Sequence, residues 1–207
     1  MIEILYADDR VLVCVKPAGV LSTDEPGGLP ELLRNQLNDP SAVLRTVHRL
    51  DRAVSGLIVL ARTSRAAADL SAQIRAGGFE KEYMAVVHGE LEEQGRFTDL
   101  LYRDKARRMT LVVEFAGEDV QEAILDYHCV RKSKSKSIAR IRLHTGRTHQ
   151  IRVQFSSRGY PLIGDKKYGR GETCPIGLWS CRLAFDHPRS GQRMVFEKQP
   201  PDIEPWL

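Results

Sequence analysis

Leu57-Ile58-Val59-Leu60-Ala61-Arg62-Thr63-Ser64-Arg65-Ala66-Ala67-Ala68-Asp69-Leu70-Ser71-Ala72-Gln73-Ile74-Arg75-Ala76-Gly77-Gly78 is the stretch that decides the fold class. Leu57 to Ala61 is apolar at every position and too short for a buried helix, so it predicts a strand covered on both faces. Ser64 is suited to cap a helix in which Ala67, Leu70 and Ile74 share one face, and Gly77-Gly78 ends it. Upstream, Ile2 to Tyr6 and Val11 to Lys16 read as a hairpin turning at Asp8-Asp9, and Lys16-Pro17-Ala18-Gly19 breaks its second strand. Leu29 to Leu37 is a short amphipathic helix with Pro30 in its first turn. Downstream, Glu82 to His88, Met109 to Phe115, Glu122 to Arg131 and Ser137 to Leu143 are strands, the last two joined by the turn Lys132 to Lys136. Thr148 is placed to cap a helix reaching about Arg158, and the tail from Leu183 alternates apolar and polar residues through Arg193-Met194-Val195-Phe196. No repeat or linker divides the chain, so the expectation is one α+β domain over 1–207, with a mixed, mostly antiparallel sheet and flanking helices.

Composition excludes several classes. At 42% apolar and 28% charged, the 207 residues are neither disordered nor collagen-like. The apolar runs fall far short of the roughly 20 residues that span a bilayer. Met1 leads directly into Ile2-Glu3-Ile4-Leu5 without a secretory signal, so a cytoplasmic location and no membrane partner are the default. The four cysteines, Cys14, Cys129, Cys174 and Cys181, form no CxxC pair and have no histidine at zinc-ligand spacing. Phosphate-loop, dinucleotide and HExxH signatures are absent. The chemistry is therefore expected to use ordinary side chains, with no metal and no cofactor.

Charge is distributed unevenly. The whole chain carries +4, yet Tyr127 to Gly164 contains no Asp or Glu and nine Arg or Lys, which leaves the other 169 residues at −5. One basic segment on an acidic body points to a face for a polyanion. Within it, Leu143-His144-Thr145-Gly146-Arg147-Thr148-His149-Gln150-Ile151-Arg152 joins a strand to a helix, where Arg147 and His149 are candidates for contacts to a phosphate backbone. A merely solvated helix start is the competing reading, and the acid-free surroundings favour nucleic acid.

Asp51 lies in His48-Arg49-Leu50-Asp51-Arg52, a connection opening onto the Leu57 strand, where a carboxylate would stand at a strand mouth. Taken alone, it could equally be a turn residue paired with Arg49 or Arg52. Tyr83, in Lys81-Glu82-Tyr83, is either a core residue or a stacking platform for an unpaired base. Arg103, Lys105, Arg107 and Arg108 read as a solvated basic loop that could grip phosphates if it faces the same cleft, and His48, His88, His128 and His187 as structural.

In combination these segments resemble the RluA-type family of RNA pseudouridine synthases along essentially the whole chain. The resemblance is carried by Ile4-Leu5-Tyr6 through Lys16-Pro17-Ala18-Gly19, His48-Arg49-Leu50-Asp51 with Ser55-Gly56, and Lys81-Glu82-Tyr83 with Val87-His88-Gly89. It continues through Thr145 to Arg152, Gly159-Tyr160-Pro161-Leu162-Ile163-Gly164-Asp165 with Tyr168-Gly169, and His187-Pro188. It implies the pseudouridine synthase fold with a central catalytic cleft, and an isomerase acting on ribosomal or transfer RNA. It makes Asp51 the catalytic carboxylate, as nucleophile or as base, Arg152 its paired cation, and Tyr83 the residue packed against the flipped base. Arg49 is implied to fill the space the uridine leaves.

Val54 stands where relatives commonly have Thr, and Gln154 where they often have His. Many relatives carry an appended N-terminal RNA-binding domain, which is expected to be absent here because the first strand begins at Ile2; RNA is the expected partner and a monomer the default. The acid-free segment is expected to line one RNA cleft, with Lys132, Lys134 and Lys136 at a hairpin tip. Two alternatives stand beside this reading: a noncatalytic RNA-binding or chaperone module on the same fold, and a glycosidic hydrolase, for which no second acid lies near the motifs.

Overall fold

The computed structural model describes residues 1–207. In chain order the elements are β1 (Ile4–Ala7), β2 (Val11–Lys16), α1 (Leu29–Leu37), β3 (Arg45–Thr46), β4 (Ser55–Ala61), α2 (Ser64–Ala76) and β5 (Glu80–His88). They continue with β6 (Gln94–Asp104), β7 (Met109–Val113), β8 (Val120–Lys132), β9 (Lys136–Leu143), α3 (Gln150–Ser156), β10 (Leu178–Asp186) and β11 (Arg193–Glu197). This is the expected α+β class with mixed, mostly antiparallel strands.

Two compact units are present, one of Met1–Lys81 with Trp179–Gln199 and one of Glu82–Leu178 with Pro200–Leu207. In the first, β1, β2, β4 and β10 are successive neighbours, β3 pairs β4 and β11 pairs β10. All of these pairs are antiparallel except β4 with β10, where Trp179 and Ser180 lie beside Ser55 and Gly56 in parallel register. Val13, Leu57 and Val59 pack with Leu70 of α2, Phe79 and Phe185, and the last two rings stack at 5.4 Å. In the second unit β5, β9, β8, β6 and β7 are all antiparallel. There α3 lies on one sheet face, with Phe155 edge-on to Phe97 and Tyr127 and Val153 against Leu101 and Ala123.

Differences from the sequence expectations have local causes. The cap of α2 is Thr63, one residue before Ser64: its backbone is extended and its Oγ1 accepts the Ala66 N–H at 3.0 Å. Thr148 does not cap α3, which begins two residues later. The Thr148 carbonyl instead accepts the Thr110 hydroxyl at 2.9 Å, and His149 occupies the cap position in left-handed conformation. Strand β6 has little β-propensity, because Gly95, Asp99 and its charged residues dilute the pattern, yet it pairs along both edges. Arg103 therefore belongs to a strand, while Lys105, Arg107 and Arg108 occupy the β6–β7 turn. Strand β10, read only from Leu183, begins at Leu178 and is buried along most of its length.

Gly56 is where the first unit is least tolerant. Its φ is +117°, and a Cβ there would sit 2.4 Å from the Ser180 carbonyl oxygen and 2.5 Å from the Ser180 nitrogen. Only a residue without a side chain lets β10 lie this close to the start of β4. Gly56→Ala is expected to destabilise the protein by on the order of 3 kcal/mol from backbone strain and overlap. Urea denaturation measures it, and a loss within experimental error would contradict the close approach.

Candidate active site

In the first unit, the loop that carries Asp51 is held by polar contacts on both sides of that residue. The Ser22 hydroxyl donates to the Leu50 carbonyl at 2.9 Å and accepts the Leu50 N–H at 3.1 Å. The Gly19 N–H donates to the Arg52 carbonyl at 2.7 Å, and Arg52 Nε donates to the Gly19 carbonyl at 2.8 Å. The Asp51 carbonyl accepts the Val54 N–H at 2.9 Å, closing the turn into β4. The short β3 ends at Thr46, and His48 takes over its work: Nε2 accepts the Val59 N–H at 3.2 Å while the ring lies on Phe79. Burial pushes the His48 pKa down to about 3, with the Lys81 charge acting in the same direction, so the ring stays neutral and able to accept. Arg49, between these fixed points, is exposed.

Lys16 is the cation of this unit that faces the loop. It is wholly buried, and its ammonium donates to the carbonyls of Pro17 at 2.9 Å, Val20 at 2.8 Å and Arg52 at 3.4 Å. Burial lowers its pKa to about 8, and the charge of Asp51 opposes that shift. Sequence reading quoted Lys16-Pro17-Ala18-Gly19 but attached no role to the lysine. The available signal was a single Lys ending the apolar run Val11 to Val15.

Tyr83, Arg147, His149 and Arg152 belong to the second unit. Arg152 is buried, and its Nε and Nη2 donate to the two oxygens of buried Asp165 at 2.8 and 2.7 Å. Burial pushes the Asp165 carboxyl up, but the Arg152 hydrogen bonds and charge, with the Lys167 and Tyr168 N–H groups, outweigh it and hold the group below the usual range. The Arg152 guanidinium also lies over the Tyr168 ring, 5.2 Å from its centroid. The Tyr168 hydroxyl accepts the Thr110 N–H at 2.7 Å and is hydrogen-bonded to His149 Nδ1 at 2.7 Å, so Tyr168 brings His149 and Arg152 together. Asp165 and Tyr168 stood in the quoted motif Gly164-Asp165 with Tyr168-Gly169, but nothing in their spacing assigns them to Arg152.

Arg147 donates its Nε to the Glu122 carbonyl at 2.9 Å. The turn before α3 is held by Gln150, whose Oε1 accepts the Thr145 hydroxyl at 2.8 Å and the Arg147 N–H at 3.0 Å. The Arg147 N–H at the helix start is therefore already engaged within the turn. Tyr83 is buried and lies opposite Ile141 on β9, which in turn lies opposite Tyr127 on β8. Tyr127 packs on Phe155 of α3, so Tyr83 shares a sheet face with α3.

Strand alternation overturns one charge expectation. Arg140 and Arg142 flank Ile141 on β9 and so point to the face away from Tyr83 and α3. The acid-free segment does not line one cleft; its cations are divided between two faces of the sheet.

Comparison with known proteins agrees with the motifs. Residues 10–157 match the family model described as RNA pseudouridylate synthase. The uncharacterized RNA pseudouridine synthase YlyB of Bacillus subtilis is 34% identical, over 97% of this chain and 70% of its own length. Ribosomal large subunit pseudouridine synthase D of Pseudomonas aeruginosa is 34% identical, over 100% of this chain and 70% of its own length. Among solved structures, human RNA pseudouridylate synthase domain containing 1 matches with a TM-score of 0.83 at 22% identity, over 98% of this chain and 85% of its own, a likeness of fold.

Lys16→Met removes the buried ammonium while keeping a long side chain in its place. The carbonyls of Pro17, Val20 and Arg52 then lose their donor, so the protein is expected to lose on the order of 2 kcal/mol of stability. Chemical denaturation of the variant tests this, and unchanged stability would show that these contacts do not hold the loop.

Proposed function

The chain belongs to the RNA pseudouridylate synthase family, as the RluA-type motifs implied, and we propose that it isomerises specific uridines in structured ribosomal or transfer RNA to pseudouridine, with Asp51 as the catalytic carboxylate. Enzymes of this family are isomerases. The reaction breaks the bond from C1′ to N1 of uracil, turns the base, joins C1′ to C5, and moves the C5 proton to solvent while N1 gains one. Atoms and electrons balance within one nucleoside, so the reaction calls for no cofactor.

The observation that carries the reading is the construction around Asp51. Residues on both sides of it are tied to the segment 16–22, and the buried Lys16 ammonium donates to the carbonyl of Arg52, the residue that follows Asp51. A carboxylate that attacks or deprotonates must be fixed in place, whereas a noncatalytic RNA-binding module needs no such provision. The roles of the other residues rest on the motifs: Arg152 as the cation serving Asp51, Tyr83 against the flipped base, Arg49 in the vacated stack, and Arg147 and His149 on the RNA backbone. Bidentate pairing with Asp165 supports Arg152 in that role, because it fixes the guanidinium plane. The name of the Pseudomonas aeruginosa relative favours large-subunit ribosomal RNA over transfer RNA. The enzyme is proposed to act as a cytoplasmic monomer, with residues 1–207 serving as one catalytic domain.

Purified Asp51→Ala protein is expected to form no pseudouridine in unmodified RNA while keeping its RNA affinity, and full conversion by this variant would contradict the mechanism. Arg152→Ala is expected to lower turnover by about 10²-fold or more, on the scale of losing one preorganised electrostatic contact. Affinity for RNA should fall steeply as salt rises, through counterion release, and a flat response would contradict polyanion binding.

A further inference from the structure

The face of the second unit's sheet away from Tyr83 and α3 carries a charged groove. Its register aligns Glu82 on β5, Arg142 on β9, Asp126 on β8 and Arg96 on β6 in one row, with Met84, Arg140, His128 and Gln94 in the next. These rows border an open groove of ≈ 630 Å³, with Gly95 and Tyr127 on its floor. Gly95 is required there, because a Cβ would lie 2.6 Å from the Tyr127 ring.

Both acids in the groove are committed to cations. Glu82 accepts Arg140 Nε. Asp126 accepts Arg96 through two bonds of 2.6 and 2.9 Å, and meets His144 Nε2 at 2.7 Å. Arg142 lies between these acids in register, is exposed, and makes no side-chain hydrogen bond or ion pair. The pairings thus orient Arg96 and Arg140 and leave Arg142 as the surplus cation.

We propose that this groove is a second RNA-binding surface, in which Arg142, flanked by Arg96 and Arg140, takes phosphodiester groups of the substrate at a distance from the target uridine. The inference rests on the reading of the protein as an enzyme of structured RNA. Every cation in the groove is an arginine, whose planar fork matches phosphate oxygens. Gln94 and His128 add groups that can bond ribose hydroxyls. A protein partner fits poorly, because the centre of a protein interface is depleted of charge and this groove is charged across its width. The groove also lies on the sheet face opposite Tyr83, so it is separate from the surface assigned to the flipped base.

The test measures equilibrium binding of the full chain to two probes, deproteinised ribosomal RNA from a strain lacking the gene and a 12-nucleotide uridine-containing oligomer. Arg142→Glu is expected to weaken ribosomal RNA binding about tenfold and to flatten its salt dependence by the equivalent of about one phosphate. Its affinity for the oligomer should stay unchanged, which also reports that the variant is folded. Arg142→Gln should give a smaller loss of the same pattern, and it decides the matter if the Glu variant does not fold. Unchanged affinity for ribosomal RNA, or equal loss on both probes, would overturn the proposal. Pseudouridine formation by the wild type, assayed in the same RNA, tests the enzymatic reading separately, since binding through the groove does not depend on turnover.

Discussion

A lysine ammonium removed from water must be surrounded by acceptors, and Lys16 meets that requirement with three backbone carbonyls. Two of those carbonyls come from the segment after β2 and one from the loop that carries Asp51, so one buried charge ties the end of β2 to both. Burial lowers its pKa to about 8 against the opposing charge of Asp51. Ser22, Gly19 and the Gly56 close approach then settle the remaining freedom of the loop. The chain places its candidate catalytic carboxylate on a loop, but a loop with almost no latitude.

The second unit uses a different device. Arg152 and Asp165 form a buried pair in which each offsets the several kcal/mol cost of burying the other as an isolated ion. The pairing fixes the guanidinium plane against Tyr168, and Tyr168 ties the same cluster to His149. The period of the β-sheet then sorts the remaining charge. Alternate residues of β9 face opposite ways, so Ile141 lies with Tyr83 while Arg140 and Arg142 border the groove on the other face. A linear count of charge cannot see this division, because it depends on strand register.

Residues whose neighbours in sequence are also their neighbours in space were legible. The apolar run Leu57 to Ala61, helix α1, and the glycine stop at Gly77 all follow from local pattern, as does the hairpin turn at Lys132 to Lys136. Strand β6 was hidden because its existence depends on pairing with β7 and β8, not on its own propensity. The start of α3 was misplaced because Thr110, 38 residues away, claims the Thr148 carbonyl. The ordered motifs named Asp51, Tyr83 and Arg152 at once, whereas the supports around them, Ser22, Asp165 and Tyr168, are long-range partners that no spacing rule pairs.

The central claim is that this chain makes pseudouridine in RNA through Asp51. Deleting the gene and mapping pseudouridine across total RNA tests it most directly, with complementation by the wild-type gene and by Asp51→Asn. The account predicts that one or a few sites disappear, return with the wild type, and stay absent with Asp51→Asn. An unchanged map after deletion, or full restoration by Asp51→Asn, would contradict it.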